Sequence, residues 1–360
     1  MFTEAIIPAI ILTANAALQE PRTIPDTPSC PNCRIVIGPT RFALADTLSA
    51  ATPLSGFLAE IGGHRYLAGA QNGAPRAFDS AGRFLQSLGR TGSGPGEFRT
   101  SGAFAVGPGD SVAVFDPGNG RIQIFDGRLK YVRAFTTEQM VTNGGLVWLP
   151  RGEGFAMSGV RSSPSQIGYT IHYYTGDGTY RRSIAESSVP ILPSRSSPLR
   201  AVRLLQLLPT NELLAVTVDG TYQIEIWNTA SGKLRERWIR DSKWFGESGG
   251  PFRSRIQSAR LDATGLLWVL ISAVSPEWEK GVRKQVIGTG HETETTYKIL
   301  DRNLILDAVI EVIDLRAGRL LARARFDKSS PTLLPRGLLP IASDETGGFD
   351  FLPVTLARPL

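Results

Sequence analysis

The segment from Gly89 to Phe135 constrains the fold more than any other part of the chain. Four short apolar runs, Phe104–Val106, Val112–Phe115, Ile122–Phe125 and Tyr131–Phe135, are separated by turns rich in glycine, Asp and Asn. Period-two alternation with turns this close together predicts a four-stranded antiparallel meander. A meander that recurs along the chain predicts blades arranged around a channel, with function in the face loops rather than in a linear motif.

Two kinds of turn measure the recurrence. Turns joining first and second strands are expected at Gly62-Gly63, Gly107–Asp110, Pro150–Gly152, Pro209–Asn211, Asp262–Gly265 and Ser343–Gly348, each followed by an apolar run. Turns joining third and fourth strands are expected at Phe78–Gly82, Phe125–Gly127, Tyr174–Gly178, Trp227–Gly232 and Ile313–Gly318. The repeat is ~50 residues, and the wider gap before Asp314 marks an insertion over 273–307. With six turns of one kind and five of the other, the last meander ends after two strands. Arg34–Ile37 and Arg41–Leu44 can supply its outer strands and remove the exposed edges of an open ring. The expected architecture is all-β: a six-bladed β-propeller of four-stranded antiparallel blades over 34–360, the last blade closed by N-terminal strands.

Composition agrees with a fold of short strands and many turns: 38 Gly and 24 Pro in 360 residues, 42% hydrophobic and 20% charged. The net charge of +6 is spread along the chain with no nucleic-acid fold signature, so it predicts a solvated basic surface rather than a nucleic-acid partner. Residues 1–19 carry an apolar stretch, Ala5–Leu12, and then Ala14-Asn-Ala16, as in a secretory signal cleaved after Ala16. The stretch is too short to span a bilayer. A secreted or periplasmic, monomeric protein is expected. Residues 20–33 form a lead to the propeller that contains the two cysteines, Cys30 and Cys33. Arg34 stands where a haem motif needs His, zinc lacks two further ligands, and a small disulfide is the leading reading, with a redox-active pair as the alternative.

Gly89–Phe98, then Phe104–Val106, then Asp116-Pro-Gly-Asn119-Gly-Arg121-Ile-Gln-Ile-Phe125 resembles an NHL-type repeat in the order G-x-G-x-G-x-F, apolar, D-x-x-N-x-R-I-x-x-F. The wider chain is similar to secreted six-bladed propeller proteins of bacteria that carry an N-terminal Cys-x-x-Cys. The match is detailed over one blade and architectural over the rest. It departs at Thr100-Ser101-Gly102, where the pattern usually has proline. The resemblance implies a fold and a binding role, without a ligand.

No helix follows the glycine-rich loop, so a phosphate site is not expected there; a tight crossing between blades is, with Phe98 plugged between sheets. Asp116, Asn119 and Arg121 form a polar cluster in which Arg121 can pair with Glu97. Crossings between blades share one face with the loops joining second and third strands. The candidate ligand-binding residues on that face are Arg90, Glu97, Arg99, Asp116, Asn119 and Arg121, with Trp278 and His291 in the insertion, which forms either a lid over the channel mouth or a plain hairpin. No catalytic set, metal or cofactor is expected. His64, His172 and His291 lie on different segments and no nucleophile elbow is present. The expected function is recognition of a protein or another extracytoplasmic ligand; the alternative is a propeller hydrolase or lactonase with a channel metal.

Overall fold

The second strands of the meanders are apolar at consecutive positions. Val112–Asp116 reads VAVFD, Glu212–Thr217 ELLAVT and Gly154–Ser158 GFAMS, and all three are buried throughout. A strand buried at every residue needs cover on both faces. The computed structural model provides it by standing six sheets around a channel as a six-bladed β-propeller. It describes residues 20–44, 54–70, 72–137, 140–141, 145–161, 168–186, 202–242, 244–245, 248–249, 251–287, 294–301, 304–343 and 347–358. The leader, His291 and most of the Glu186–Arg200 crossing lie outside these residues.

From the channel outward, blade 1 consists of Leu54–Ile61, Arg65–Ala70, Arg76–Phe78 and Phe84–Ser87. Blade 2 is Phe104–Val106, Val112–Asp116, Arg121–Phe125 and Tyr131–Thr136. Blade 3 is Leu146–Leu149, Gly154–Ser158, Tyr169–Tyr174 and Tyr180–Glu186. Blade 4 is Arg203–Leu207, Glu212–Thr217, Gln223–Asn228 and Leu234–Arg240. Blade 5 is Arg255–Leu261, Leu266–Val274, Leu306–Asp314 and Arg319–Phe326.

Side-chain alternation sorts residues between neighbouring blades rather than between core and water. Val112 and Val114 pack with Leu67 and Ala77 of blade 1, whereas Ala113 and Phe115 pack with Leu146 and Phe155 of blade 3. Phe98 is fully buried in the layer between blades 1 and 2, its ring 5.9 Å from that of Phe125, as expected of a plug. Each buried Val, Leu or Phe among them contributes about 1.5–3 kcal/mol, so the layers between blades dominate stability.

A polar element repeats inside these layers. In five blades the ladder between third and fourth strands slips at one place: Ala77/Phe78, Ile124/Phe125, Tyr173/Tyr174, Ile226/Trp227 and Val312/Ile313. Two residues before the second of each pair stands a buried polar side chain: Arg76, Gln123, His172, Glu225 or Glu311. These side chains are tied to their surroundings, as buried polar groups must be. Gln123 donates to the Glu97 carbonyl and accepts from the Gly96 N–H; His172 bonds Ser183 Oγ and the Gly159 carbonyl; Glu225 accepts from Trp227 Nε1 and Arg237.

Blade 6 closes the ring by an arrangement that differs from the expected two-plus-two. Leu338–Ser343 and Gly348–Ala357 pair with each other, but the channel is lined here by Pro331–Pro335. Leu334 bridges to Leu338, and the Leu333 carbonyl accepts from Ser258 of blade 5. Pro331–Pro335 is therefore the innermost segment of the blade. The turn after it carries positive φ at Arg336 and Gly337, as the equivalent turns do at His64, Asp110, Arg151 and Asn211. Ser343–Gly348 joins the second and third strands. Two prolines hide the inner segment from sequence reading, and both are tolerated because a channel edge needs few ladder bonds. Arg34–Ile37 and Phe42–Leu44 do not lie side by side. Both follow the same edge of Gly348–Ala357, where Gly38 N–H donates to Pro353 and Arg41 N–H to Phe351. They form one outermost strand, interrupted at Gly38–Arg41.

The lead before that strand is part of the structure. Arg22–Ile24 adds a parallel fifth strand to blade 4, and Ser29 bonds the Leu320 carbonyl of blade 5 through both N–H and Oγ. Cys30 and Cys33 are joined by a disulfide, and Cys33 packs in the layer between blades 5 and 6. Asp26 meets Arg240 at 2.6 Å and also pairs with Arg323. Burial pushes the Asp26 carboxyl up, but hydrogen bonds from Arg240 and Arg323 outweigh it and hold the pKa below the usual 3.8. With the folded value below the unfolded one, this contribution is complete above about pH 4 and is lost as pH falls through the folded value. Asp26→Asn is expected to destabilise the protein most near neutrality and progressively less as pH falls below about 4. Urea midpoints across that range read the effect; an equal loss at both ends contradicts the ion-pair account.

Candidate functional site

The crossings between blades and the loops joining second to third strands lie on one face, here called the crossing face. Three arrangements qualify as a site: a knot at the crossing into blade 2, the insertion in blade 5, and the channel.

The knot contains six of the expected binding residues. Arg121 donates to the carbonyls of Ser93, Gly94 and Glu97, and its Nε lies 3.4 Å from Asp116, whose side chain is wholly buried. Asp116 also accepts from Asn119 at 2.7 Å, and Asn119 donates to the Gly92 carbonyl. The Glu97 carboxylate bonds the Gly94 N–H and Arg90 Nε, while Arg99 reaches Ser93 Oγ. The Gly94 N–H and the Arg90 guanidinium hold the Glu97 pKa below its usual value, with slight opposition from desolvation. Arg121 thus grips the backbone around Glu97 and pairs with Asp116, where the sequence suggested a side-chain pair with Glu97. Gly89 has φ +87°, and a Cβ there would run into the Gly96 carbonyl oxygen. The polar atoms bind one another and the crossing backbone; only Arg90, whose side chain is 82% exposed, and Arg99 present charge outward.

The insertion is a short helical turn, Trp278–Gly281, followed by a two-stranded hairpin, Val282–Ile287 with Glu294–Ile299. The hairpin is a sheet of its own. Trp278 is packed edge-on between Phe252 of the preceding crossing and Tyr297 of the hairpin, at 5.7 and 5.8 Å. This trio braces the hairpin on the crossing face. Val286, Ile299 and Leu300 are exposed, beside the exposed Arg283, Lys284 and Lys298.

The channel cavity, about 820 Å³, is lined by the inner segments of all six blades. Its charged side chains are Glu60 and Arg260. Near its rim, Arg336 meets Glu60 at 2.5 Å and His64 meets it at 3.1 Å. Sequence reading missed this group, because its members come from blades 1, 5 and 6 and meet only once the ring closes. Among the described residues no three His, Cys, Asp or Glu side chains are grouped to hold a metal ion, and no helix is long and apolar enough to cross a membrane.

No family model matches the chain, and no curated protein matches it. Solved structures do. A member of the DUF4221 family from Bacteroides vulgatus is similar with a TM-score of 0.61 at 8% identity, over 91% of this chain and 99% of that one. A Bacteroides fragilis protein classed as exported gives 0.54 at 10% identity, over 94% and 99%. A catalytically inactive virginiamycin B lyase from Staphylococcus aureus, solved with quinupristin, gives 0.50 at 11%, over 90% and 100%. At these identities the likeness is one of fold.

Proposed function

We propose that the protein is an exported NHL-type propeller that recognises a protein or another extracytoplasmic molecule through its crossing face, with the blade 5 hairpin as the main contact element. The observation that carries this reading is the hairpin's surface. Val286 is 64% exposed, with Ile299 and Leu300 also in solvent, on an element braced by Phe252, Trp278 and Tyr297. Apolar side chains held in solvent on a rigid scaffold and flanked by cations suit a partner with an apolar, acidic surface. Export is supported by the Cys30–Cys33 disulfide, a bond favoured in oxidising compartments. The hydrolase alternative draws no comparable support from the described residues.

Replacing Val282–Ile299 by a short Gly-Ser turn tests the reading. Among the described residues the two hairpin strands pair only with each other, so the melting temperature is expected to stay within a few degrees. The complex that the tagged full-length protein forms in the envelope of its own host is expected to disappear. A complex that persists at full yield contradicts the assignment.

A further inference from the structure

The channel holds two charges that the fold does not use fully. Glu60 is nine-tenths buried, with its side chain 9% exposed; one carboxylate oxygen serves Arg336 and His64, and the other, Oε2, has no hydrogen-bond partner. Arg260 lines the same cavity from blade 5 and makes no hydrogen bond or ion pair with any described residue, although it senses the Glu60 charge. Desolvation pushes the Arg260 pKa down, and Glu60 only partly offsets it. Two of the neighbouring polar side chains are already engaged. Gln206 bonds both the N–H and the carbonyl of Leu261, and Ser258 bonds the Leu333 carbonyl.

A buried carboxylate oxygen without a donor costs stability, and the half-buried Arg260 guanidinium beside it faces the cavity with its hydrogen-bonding capacity unspent. A guanidinium is satisfied by a planar oxyanion, and the carboxylate oxygen by an O–H or N–H. The cavity has the size of a small-molecule site. We propose that the channel binds a small carboxylate that also carries a hydroxyl or ammonium donor, its carboxylate on Arg260 and its donor on Glu60 Oε2. This site is separate from the crossing-face hairpin and does not depend on the function proposed for it.

Titration calorimetry on the full-length protein with D-glucuronate and glycylglycine tests the two sources of this chemistry. Acetate, which lacks the donor, and D-glucose, which lacks the anion, are the controls. At least one of the two probes is expected to bind saturably, and at least tenfold more tightly than acetate or glucose. Arg260→Gln is expected to weaken that binding at least tenfold while leaving the melting temperature within a few degrees, because Arg260 is half-buried and holds no partner that its loss would strand. Arg260→Lys keeps the charge but loses the planar fork, and is expected to bind with intermediate affinity. Failure of both probes to bind overturns the proposal. So does unchanged binding in Arg260→Gln, or a fall of more than about 5 °C in that variant, which would make Arg260 a structural residue.

Discussion

A chain that lacks residues 20–44 is expected not to fold as a monomer. The deletion removes the outermost strand of blade 6, the fifth strand of blade 4 and the Asp26 ion pairs at once. It also strips Ile24 and Leu44, both fully buried, and Phe42, which stacks on Phe351 at 4.9 Å and lies 5.0 Å from Tyr66. Ile24 and Leu44 contribute about 3–6 kcal/mol by burial and the half-buried Phe42 adds to it, together comparable with the whole stability of a domain. The freed edge of Gly348–Ala357 then presents unpaired backbone groups to other chains. Circular dichroism with light scattering is expected to show loss of the cooperative transition and association of the product. A monomer that melts cooperatively near the wild-type temperature contradicts this closure. The disulfide is a minor contributor by comparison. Its loop spans four residues, for which chain entropy gives about 2 kcal/mol, so Cys30→Ser with Cys33→Ser should still fold.

The second large effect is expected at Glu311. Its carboxylate is fully buried and accepts from Arg240 at 2.9 Å and Arg323 at 2.8 Å, with the Arg240 side chain also wholly buried. Tyr222 lies close enough for the Glu311 charge to add to burial in pushing its phenol well above the usual value. Glu311→Gln preserves shape and removes the charge, leaving Arg240 buried with only the half-exposed Asp26 as counter-ion. Breaking a buried pair in this way costs about 3–5 kcal/mol, because the remaining charge is uncompensated. Denaturant midpoints are expected to fall accordingly, with the m-value unchanged. Asp26→Asn is expected to cost much less, since water screens that end of the network. Equal effects from the two substitutions would show that the network is not organised around Glu311.

The blade count was legible because glycine turns and strand-three aromatics such as Phe125 and Trp227 recur at a steady interval. Two features resisted reading for physical reasons. Pro331–Pro335 looks like a loop, yet an innermost segment needs little pairing and accommodates both prolines. The polar residues Gln123, His172, Glu225 and Glu311 sit at one repeated position, and the signal was present: each precedes the slipped strand-three residue by two. It is hidden because the side chains differ in charge and share only the task of satisfying buried groups. At the knot, the D-x-x-N-x-R spacing identified Asp116, Asn119 and Arg121 as a unit. It did not reveal that Arg121 binds carbonyls, since backbone partners leave no trace in sequence. Glu60 and Arg260 were illegible because only ring closure brings them to one cavity.

Site-specific photo-cross-linking in the native host tests the central functional claim most directly. Benzoylphenylalanine at position 286, on the hairpin, is compared with the same group at position 317, an exposed turn on the opposite face of blade 5. Binding through the crossing face predicts a discrete cross-linked species from position 286 and none from position 317. A product of equal yield from both positions, or from position 317 alone, would contradict it.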